Sequence, residues 1–510
     1  MVLSKYKSFD IRIPIVSLLC AFLITGSVFN TVQFNPFNSF LWGLICILLF
    51  CFALINVHNP FFINQKTRDI QNILNNPLTY ILLGVMSFRL IFMFFSTRYH
   101  VFYDTSSYVT AANNLLSGHI DEFRTPIYPL FLALVSFITG AEIGSAACFT
   151  AVVAIQQFLS IISLYFFYSI AHKVIKSKSV ANVITVIYGC APMLFQFDFC
   201  ILTESLTLFL VNVFLYFVIG FIQERTYYYA VASACSAIIL IFTRPTFVYL
   251  LLLLPLLYVA FLMFQKGARK QALAGILASV FAGVMVLGYC SMNYSQNGIA
   301  GLSTVTGSKN ELLVIVESGI YKQDKESEIG KEVYESYELK DAPCDPLKFV
   351  DTLIAEYGSE KVAEYITNLK KANTEAYTKY VSHSMMNRQS EILILQYTKY
   401  FESIPDIMLG FYTILTPFPL LSMWFVFFGC IISLIVGLIK NRRIPWVTVG
   451  LCAFFFTHCF VSTYAAQTET ARLCCVALPT LYLLIGMLFN NFARDCKKNK
   501  ENRGVLLEKI

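Results

Sequence analysis

A few acidic and basic side chains interrupt the long apolar stretches of this 510-residue chain. Asp104 lies near the start of the polar stretch "YDTSSYVTAANNLLSGHIDEFRTPIYP", and Glu204 lies in "LTESL" at the start of an apolar run. A carboxylate can take a proton from a reacting hydroxyl group as a general base. Arg244 follows one apolar run and Arg472 precedes another, and the planar fork of a guanidinium group fits phosphate oxygens. These residue types could therefore activate a hydroxyl group and hold a phosphate.

Each of these residues also has a purely structural interpretation. Asp104 could be only the N-cap of the following helix, which is worth about 1 kcal/mol. Glu204 could be only a favourably placed anion at a helix N-terminus. Arg244 and Arg472 could each pair with an acid or extend to a lipid headgroup. Asp198 could line a substrate pocket or merely mark the boundary with water.

The quoted polar stretch holds three further candidates. Arg124 could help to hold a phosphate or orient an acceptor, or it could pack against the Asp121–Glu122 pair. Tyr108 and Tyr128 could line a substrate pocket, although tyrosines are enriched at this depth in any membrane protein. The segment "TSSYVTAANNLLSG" has the spacing of a short amphipathic helix that ends at Gly118 and lies along the membrane surface.

The composition indicates a membrane protein with many spans. The chain is 57% hydrophobic and 14% charged, whereas a soluble protein carries about 25% charged residues. Its apolar runs approach the roughly 20 residues that cross a bilayer. The net charge of +7 comes from basic residues between these runs, so it does not indicate nucleic-acid binding. Twelve spans are predicted: 13–30, 38–57, 78–97, 148–171, 181–199, 203–222, 227–243, 246–264, 271–290, 416–439, 444–463 and 474–491.

A further apolar segment, 126–140, is too short for a typical span and favours an interfacial or re-entrant helix. If it does not cross, the cytoplasmic segments hold 21 Lys or Arg residues and the short outer segments hold four. The rule that positive charge stays inside strongly favours this layout, with both termini in the cytoplasm. Thirteen ordinary spans are the alternative. Asp104, Asp198, Glu204, Arg244 and Arg472 then gather on the outer face.

The sequence thus predicts an all-α polytopic membrane protein. Two N-terminal spans occupy 1–77, and a transmembrane core occupies 78–290, with a first exoplasmic loop at 98–147 that carries interfacial or re-entrant helices. Segment 291–402 has 12 basic and 17 acidic residues and helical spacing, so it predicts a mainly helical exoplasmic domain. C-terminal spans follow in 403–493, and 494–510 is a basic cytoplasmic tail.

Cysteine usage and motif searches limit the chemistry further. The 15 cysteines lie mostly in apolar runs, and Cys344 alone sits well inside a long polar stretch, so no disulfide framework is predicted. No CxxC zinc spacing and no P-loop occur in the sequence. We therefore predict neither a metal nor another cofactor.

Several motifs occur in the order known from one family of membrane enzymes. The pattern D-x-x-x-Y-x-x-x-A-x-x-L-L-x-G … R-T-P-x-Y-P in the first loop resembles that of the GT-C glycosyltransferases, and four further stretches resemble theirs. The closest branch is the bacterial relatives of protein O-mannosyltransferases and of the lipid A aminoarabinose transferase. The resemblance covers about residues 78–490, and the four stretches are "APMLFQFDFCILTESLTLFL", "IFTRP", "NYSQNGIAGLSTVTGSKNELL" and "ARLCCVALPTLYLLIG".

The resemblance implies transfer of a sugar from a polyprenyl-phosphate donor to an exoplasmic glycan, lipid or protein acceptor. Asp104 would be the general base, helped by Glu204, and arginines would hold the carrier phosphate in a bacterial inner membrane. The chain departs from the pattern at Thr105, where the mannosyltransferases have Glu, and this puts a protein acceptor in question. It also has two extra N-terminal spans, and it lacks a second acid near Asp104 that could bind a metal.

Two other functions fit the same layout. A transporter or flippase of a lipid-linked or anionic substrate is the main alternative, although such proteins often show repeats and interrupted midplane helices, and no repeat is evident here. A glycan polymerase or ligase is a further alternative, which would rely on an arginine-rich outer loop. The large loop of this chain is net acidic.

Overall fold

The structure is a computed structural model that describes residues 76–95, 99–303, 308–339, 346–380, 428–432, 435–436, 439, 444–465 and 470–490. Within these ranges the protein is helical, and the only strand-like pairing is an isolated parallel bridge between His100 and Cys200. The predicted spans 13–30 and 38–57, most of 416–439 and the tail 494–510 lie outside the described residues.

The helices follow the predicted order along the chain. The first loop contains two short helices, and the longest helices come after it. The bounds are α1 Pro77–Phe95, α2 Tyr103–Leu116, α3 Ile127–Thr139, α4 Ala146–Val174, α5 Lys178–Gly189, α6 Glu204–Glu224, α7 Tyr227–Thr243, α8 Leu250–Phe264, α9 Arg269–Asn297, α10 Ser308–Glu317, α11 Glu328–Tyr334, α12 Pro346–Tyr357, α13 Ser359–Ala372 and α14 Trp446–Ala465. A final helix, α15, spans Arg472–Asn490 and contains a 3-10 turn at Cys475–Ala477.

Five stretches of helix in the described residues are long and apolar enough to cross a membrane. They are Ala146–Val174, Glu204–Glu224, Pro245–Phe264, Lys266–Asn297 and Arg472–Asn490, and each coincides with a predicted span. Shorter apolar helices occupy Ile127–Thr139, Tyr227–Thr243 and Trp446–Ser462. The helical class and several membrane-length helices are therefore confirmed, and the full set of twelve spans stays a prediction.

Two segments of the predicted layout, 126–140 and 181–199, are short helices in the structure. Helix α3 has 13 residues and ends at Gly140, which adopts the left-handed conformation that favours glycine. The prediction of one continuous span over 181–199 is wrong, because α5 ends at Gly189 and a new turn begins at Pro192. Proline lacks an N–H group and disfavours a helical conformation in the residue before it, so Pro192 favours a break here. The chain after Pro192 winds through buried turns to Glu204.

Helix α6 lies at the centre of the bundle. Of its most apolar window, 78% is buried inside the protein, compared with 22% for the Lys266–Asn297 segment. Helix α6 packs against α4 and α7, and α9 packs against α7 and α8. The outer side of α9 leaves Phe281, Val284 and Leu287 exposed, as expected for a surface that faces lipid.

Backbone and side-chain hydrogen bonds join the first loop to the ends of distant helices. The N–H of His100 donates to the carbonyl of Phe199 at 2.8 Å, and the His100 carbonyl accepts from the N–H of Ile201 at 3.1 Å. The Thr125 hydroxyl donates to the carbonyl of Thr243 at 3.2 Å. These contacts place the loop beside the start of α6 and the end of α7.

The residues of 308–380 have a hydrophobic core of their own. Helix α10 packs against α12 and α13, which buries Leu312, Leu353 and Ile366 completely. Just before this unit, the Gln296 side chain near the end of α9 accepts a hydrogen bond from the N–H of Ile120 at 2.8 Å. The end of α9 therefore lies at the same end of the bundle as the first loop.

Candidate functional site

Five charged side chains from distant parts of the chain meet in one connected group, which we call the charged cluster. Arg124 Nη2 donates to Asp104 Oδ1, and Arg472 Nη2 donates to Asp104 Oδ2, both at 2.7 Å. Arg472 Nε lies 3.2 Å from Glu204 Oε1, and Arg244 Nη2 lies 3.4 Å from the same oxygen. Four of the five residues expected to gather on one face are thus brought together, and Arg124 joins them.

Helix α2 presents Asp104 to this cluster. The interpretation of Asp104 as the N-cap is wrong, because Phe102 holds that position and Asp104 lies in the first helical turn. Thr105 performs the capping function, since its hydroxyl oxygen accepts from the N–H of Phe102 at 2.9 Å. The predicted short helix is present and ends at Leu116, with Tyr108 and Ala112 on its buried face, and its place along the membrane surface stays a prediction. The Asp104 carboxylate is therefore left to bind the two arginines.

Arg124 is oriented from several directions. Its backbone N–H donates to Asp121 Oδ1 at 2.8 Å, which tightens the turn after α2. Its side chain turns to Asp104, where Nε donates to Ser107 Oγ at 2.8 Å and the guanidinium carbon lies 4.2 Å from the centre of the Tyr108 ring. The side chain of Arg124 therefore binds Asp104, while its backbone N–H binds Asp121.

The cluster carries more positive than negative charge. Its three guanidinium groups face two carboxylates, which leaves one positive charge uncompensated within the cluster. The side chain of Glu204 is 1% exposed and that of Arg244 is 7% exposed, whereas that of Asp104 is 23% exposed. Asp104 therefore lies at the mouth of the cluster, and the excess charge favours an anion there.

The deepest members of the cluster have unused hydrogen-bonding capacity. Neither carboxylate oxygen of Glu204 forms a hydrogen bond with the described residues, because the two arginine contacts lack hydrogen-bond geometry. Arg244 Nη1 is also buried and has no hydrogen-bond partner in the part of the chain that the structure describes. Buried polar atoms of this kind are costly unless water, an ion or a ligand satisfies them. This end of the bundle is therefore a candidate site for a polar group.

The carboxyl group of Asp104 stays ionised over a wide pH range. Burial by itself raises its pKa, but the charges of Arg124 and Arg472 and their hydrogen bonds outweigh burial and lower the pKa to about 2. An aspartate with a lowered pKa stabilises the fold above its unfolded pKa of about 3.9, and this stabilisation is lost as the pH falls toward the folded pKa.

We therefore expect the stability difference between the wild type and Asp104→Asn to be constant from neutral pH down to about pH 4 and to shrink below it. Thermal unfolding of both proteins across this range would measure it. A difference that shrinks already near neutral pH would mean that the arginines do not hold the carboxylate in its charged form.

The two candidate tyrosines form a layer behind the cluster. Tyr108 packs edge-on against Tyr128, with ring centroids 4.9 Å apart. Tyr128 is completely buried, and its hydroxyl donates to Gln156 Oε1 at 3.0 Å. Gln156 in turn donates to the carbonyl of Cys200 at 2.8 Å. Tyr128 thus ties the first loop to the buried turn before Glu204, and Tyr108 is the tyrosine next to Arg124.

Asp198 belongs to a neighbouring ion pair. Its Oδ2 lies 3.3 Å from Arg89 Nη1, and its Oδ1 accepts from the Ser205 hydroxyl at 2.5 Å. Arg89 also donates to the Ser160 hydroxyl and to the Gly189 carbonyl. Arg89 lies inside α1, and Asp198 is the acid that it binds. These contacts hold α1, α4 and the turns before α6 together.

We expect Asp198→Asn to lower the unfolding temperature while leaving the activity of the folded protein little changed. Removing one partner of a buried ion pair leaves the other charge uncompensated and costs about 3–5 kcal/mol. Thermal unfolding in detergent and activity per folded molecule would be measured together. A stable but inactive variant would instead place Asp198 in the substrate pocket.

No protein-family model matches this chain, and no curated protein matches its sequence significantly. The assignment of function therefore depends on the geometry of the charged cluster.

Two residues near the cluster were not among the candidates predicted from the sequence. Ser107 lies three positions after Asp104, which is one helical turn, so its place beside Arg124 could have been anticipated. His458 lies in the apolar stretch "FFFTHCF" and is completely buried in α14. An ionisable residue within a membrane-length segment is a reason to suspect a functional contact.

Proposed function

We propose that the protein is a glycosyltransferase that moves a sugar from a polyprenyl-phosphate donor to an acceptor hydroxyl. The observation that carries the proposal is the charged cluster, in which the partly exposed carboxylate of Asp104 and the buried carboxylate of Glu204 are paired with three arginines, which leaves one positive charge uncompensated within the cluster. This combination matches the two needs of the reaction, a base for the acceptor and cations for the leaving phosphate. The site would face outward from a bacterial inner membrane.

The arginines would stabilise the leaving group. When the bond between the anomeric carbon and the phosphate oxygen breaks, its electron pair stays with the polyprenyl phosphate. Arg244 has a buried N–H group without a partner among the described residues, and Arg472 is within contact distance of both carboxylates. Preorganised donors aimed at developing negative charge are often the largest contribution to catalysis. Arg124 would add to this charge at the mouth of the cluster.

Asp104 would act on the acceptor. Its carboxylate takes the proton of the acceptor hydroxyl while the acceptor oxygen forms the new bond to the anomeric carbon. Glu204 has two buried oxygens without hydrogen bonds to the described residues, and it would position the arginines and a hydroxyl group. Tyr108 lies next to Arg124, where its ring could contact the sugar. No role in this scheme requires a cofactor beyond the donor itself.

An apolar cavity beneath the cluster supports a lipid-linked donor. It has a volume of about 200 Å³ and is lined by α6, α8 and the start of α14. Phe214 lines it ten residues after Glu204 in α6, which corresponds to roughly 15 Å along the helix. Leu250 lines it six residues after Arg244. A lipid chain whose phosphate lies at the arginines would therefore meet this apolar surface only some distance along the bundle, roughly 15 Å from Glu204 at Phe214.

Purified protein in vesicles, supplied with a panel of polyprenyl-phosphate sugars, would test the proposal. We expect one donor to be consumed, with release of polyprenyl phosphate, when it and the acceptor are on the outer side. Mass spectrometry of surface glycans and lipids from a deletion strain would identify the acceptor, which we expect segment 291–402 to select. Movement of an intact lipid-linked molecule across the vesicle without bond cleavage would instead establish a transporter or flippase.

A further inference from the structure

His458 links the two segments that carry the arginines bound to Glu204. Its Nε2 lies 3.0 Å from the carbonyl oxygen of Leu473, the residue after Arg472. Its Nδ1 lies 3.3 Å from the hydroxyl of Tyr249, in the 3-10 turn that follows Arg244. One ring therefore contacts both segments from the side of α14.

The ring also packs directly against the turn after Arg244. It is stacked on Phe247, with centroids 4.5 Å apart, and the N–H of Phe247 donates to the carbonyl of Arg244 at 3.1 Å. His458 is completely buried, so these contacts are shielded from water. A movement of the ring would shift the backbone at Arg244 and Arg472 together.

The hydrogen bonds define the tautomer of the His458 ring. A carbonyl oxygen can only accept, so Nε2 carries the proton that is donated to Leu473. Nδ1 then has a lone pair that accepts from the Tyr249 hydroxyl. An apolar side chain would fill the same space but would make neither bond. The neutral imidazole offers a donor and an acceptor to two different segments.

We infer that His458 is a positioning residue that fixes the spacing of Arg244 and Arg472 and thereby sets the affinity for the donor phosphate. The inference rests on the proposed function, because it assigns the phosphate to these arginines. Both guanidinium groups contact one oxygen of Glu204, at 3.2 and 3.4 Å, so Glu204 holds them from one side and His458 holds their backbones from another. Tyr249 contributes to this positioning through its hydrogen bond to His458, and Phe247 contributes through its stacking on the ring.

Binding of a polyprenyl monophosphate to the purified full-length protein tests this role. We expect His458→Phe to weaken binding about tenfold or more, the scale on which outer-shell hydrogen bonds act on the groups that they orient. His458→Gln keeps an amide donor and an oxygen acceptor and should restore most of the affinity. Tyr249→Phe removes only one hydrogen bond, so it keeps the test valid if His458→Phe fails to fold, and it should weaken binding by a smaller factor.

Phe455 provides the matched control, because it lies three residues before His458 in α14, is also buried and packs edge-on against Phe456. Phe455→Leu should lower the unfolding temperature without a matching loss of affinity, and KM for the donor should rise in His458→Phe more than kcat falls. Wild-type affinity in both His458→Phe and Tyr249→Phe would overturn this inference but leave the proposed function standing, as would equal weakening in Phe455→Leu. A wild-type protein that does not bind the lipid phosphate would overturn the proposed function as well.

Discussion

Replacing Asp104 with asparagine is expected to slow sugar transfer by about 10²-fold, the lower end of the usual contribution of a general base, because a carboxylate whose pKa two arginines lower to about 2 is a weak base. Asparagine has nearly the same size and can still accept a hydrogen bond from one arginine, but it cannot take the proton of an acceptor hydroxyl. The loss should therefore appear in kcat, measured as release of polyprenyl phosphate at saturating donor. The protein should still be produced, inserted and able to bind polyprenyl phosphate.

Glu122 provides a control in the same loop, since it is an exposed carboxylate outside the charged cluster. Glu122→Gln removes a negative charge from the loop and should leave kcat nearly unchanged. Equal activity of Asp104→Asn and the wild type would remove Asp104 from the mechanism. An equal loss of kcat in the two variants would mean that the rate depends on the total charge of the loop and not on a base at position 104.

Replacing Arg472 with alanine is expected to have the second large effect, on both binding and stability. Arg472 is the residue that joins Asp104 to Glu204, with contacts of 2.7 and 3.2 Å. Removing one partner of a buried ion pair costs about 3–5 kcal/mol, since the remaining charge loses its compensation. Donor binding should also be abolished, because the cluster loses its excess positive charge. Thermal unfolding and polyprenyl-phosphate binding measure the two effects.

Arg472→Lys separates the contribution of the positive charge from that of the planar guanidinium group. Lysine keeps the charge but cannot contact both carboxylates with a planar fork, so we expect intermediate stability and weak binding. Lys270→Ala removes an exposed positive charge near the start of α9, far along the helix from the cluster, and should change neither quantity. Undiminished binding in Arg472→Ala would show that the phosphate site is elsewhere.

The sequence predicted the residues of the site better than their pairing. Asp104, Glu204, Arg244 and Arg472 lie where apolar runs meet polar segments, and such boundaries can be found from hydropathy alone. Because successive spans reverse direction, their ends can be assigned to one side of the membrane. The short helix α3 was predictable as well, from its length and from Gly140.

The individual contacts depend on tertiary packing, which one sequence does not specify. Asp198 was expected near the substrate, but Arg89, 109 positions away, binds it in a separate pair. The prediction of one span over 181–199 was wrong because hydropathy alone does not reveal the helix break next to Pro192. Asp104 is a residue type that often caps helices. In the structure, however, the hydroxyl oxygen of Thr105 accepts the hydrogen bond from the Phe102 N–H.

The order in which the cluster is completed follows from the position of Arg472 in the chain. Its hydrogen bond to Asp104 spans 368 positions, so the ribosome must have made the chain through Arg472 before this contact can form. In a nascent chain that lacks α15, Arg124 and Arg244 just balance the charges of Asp104 and Glu204. The surplus of positive charge in the cluster arises only when α15 inserts, and until then the shorter chain has little attraction for an anion at this position.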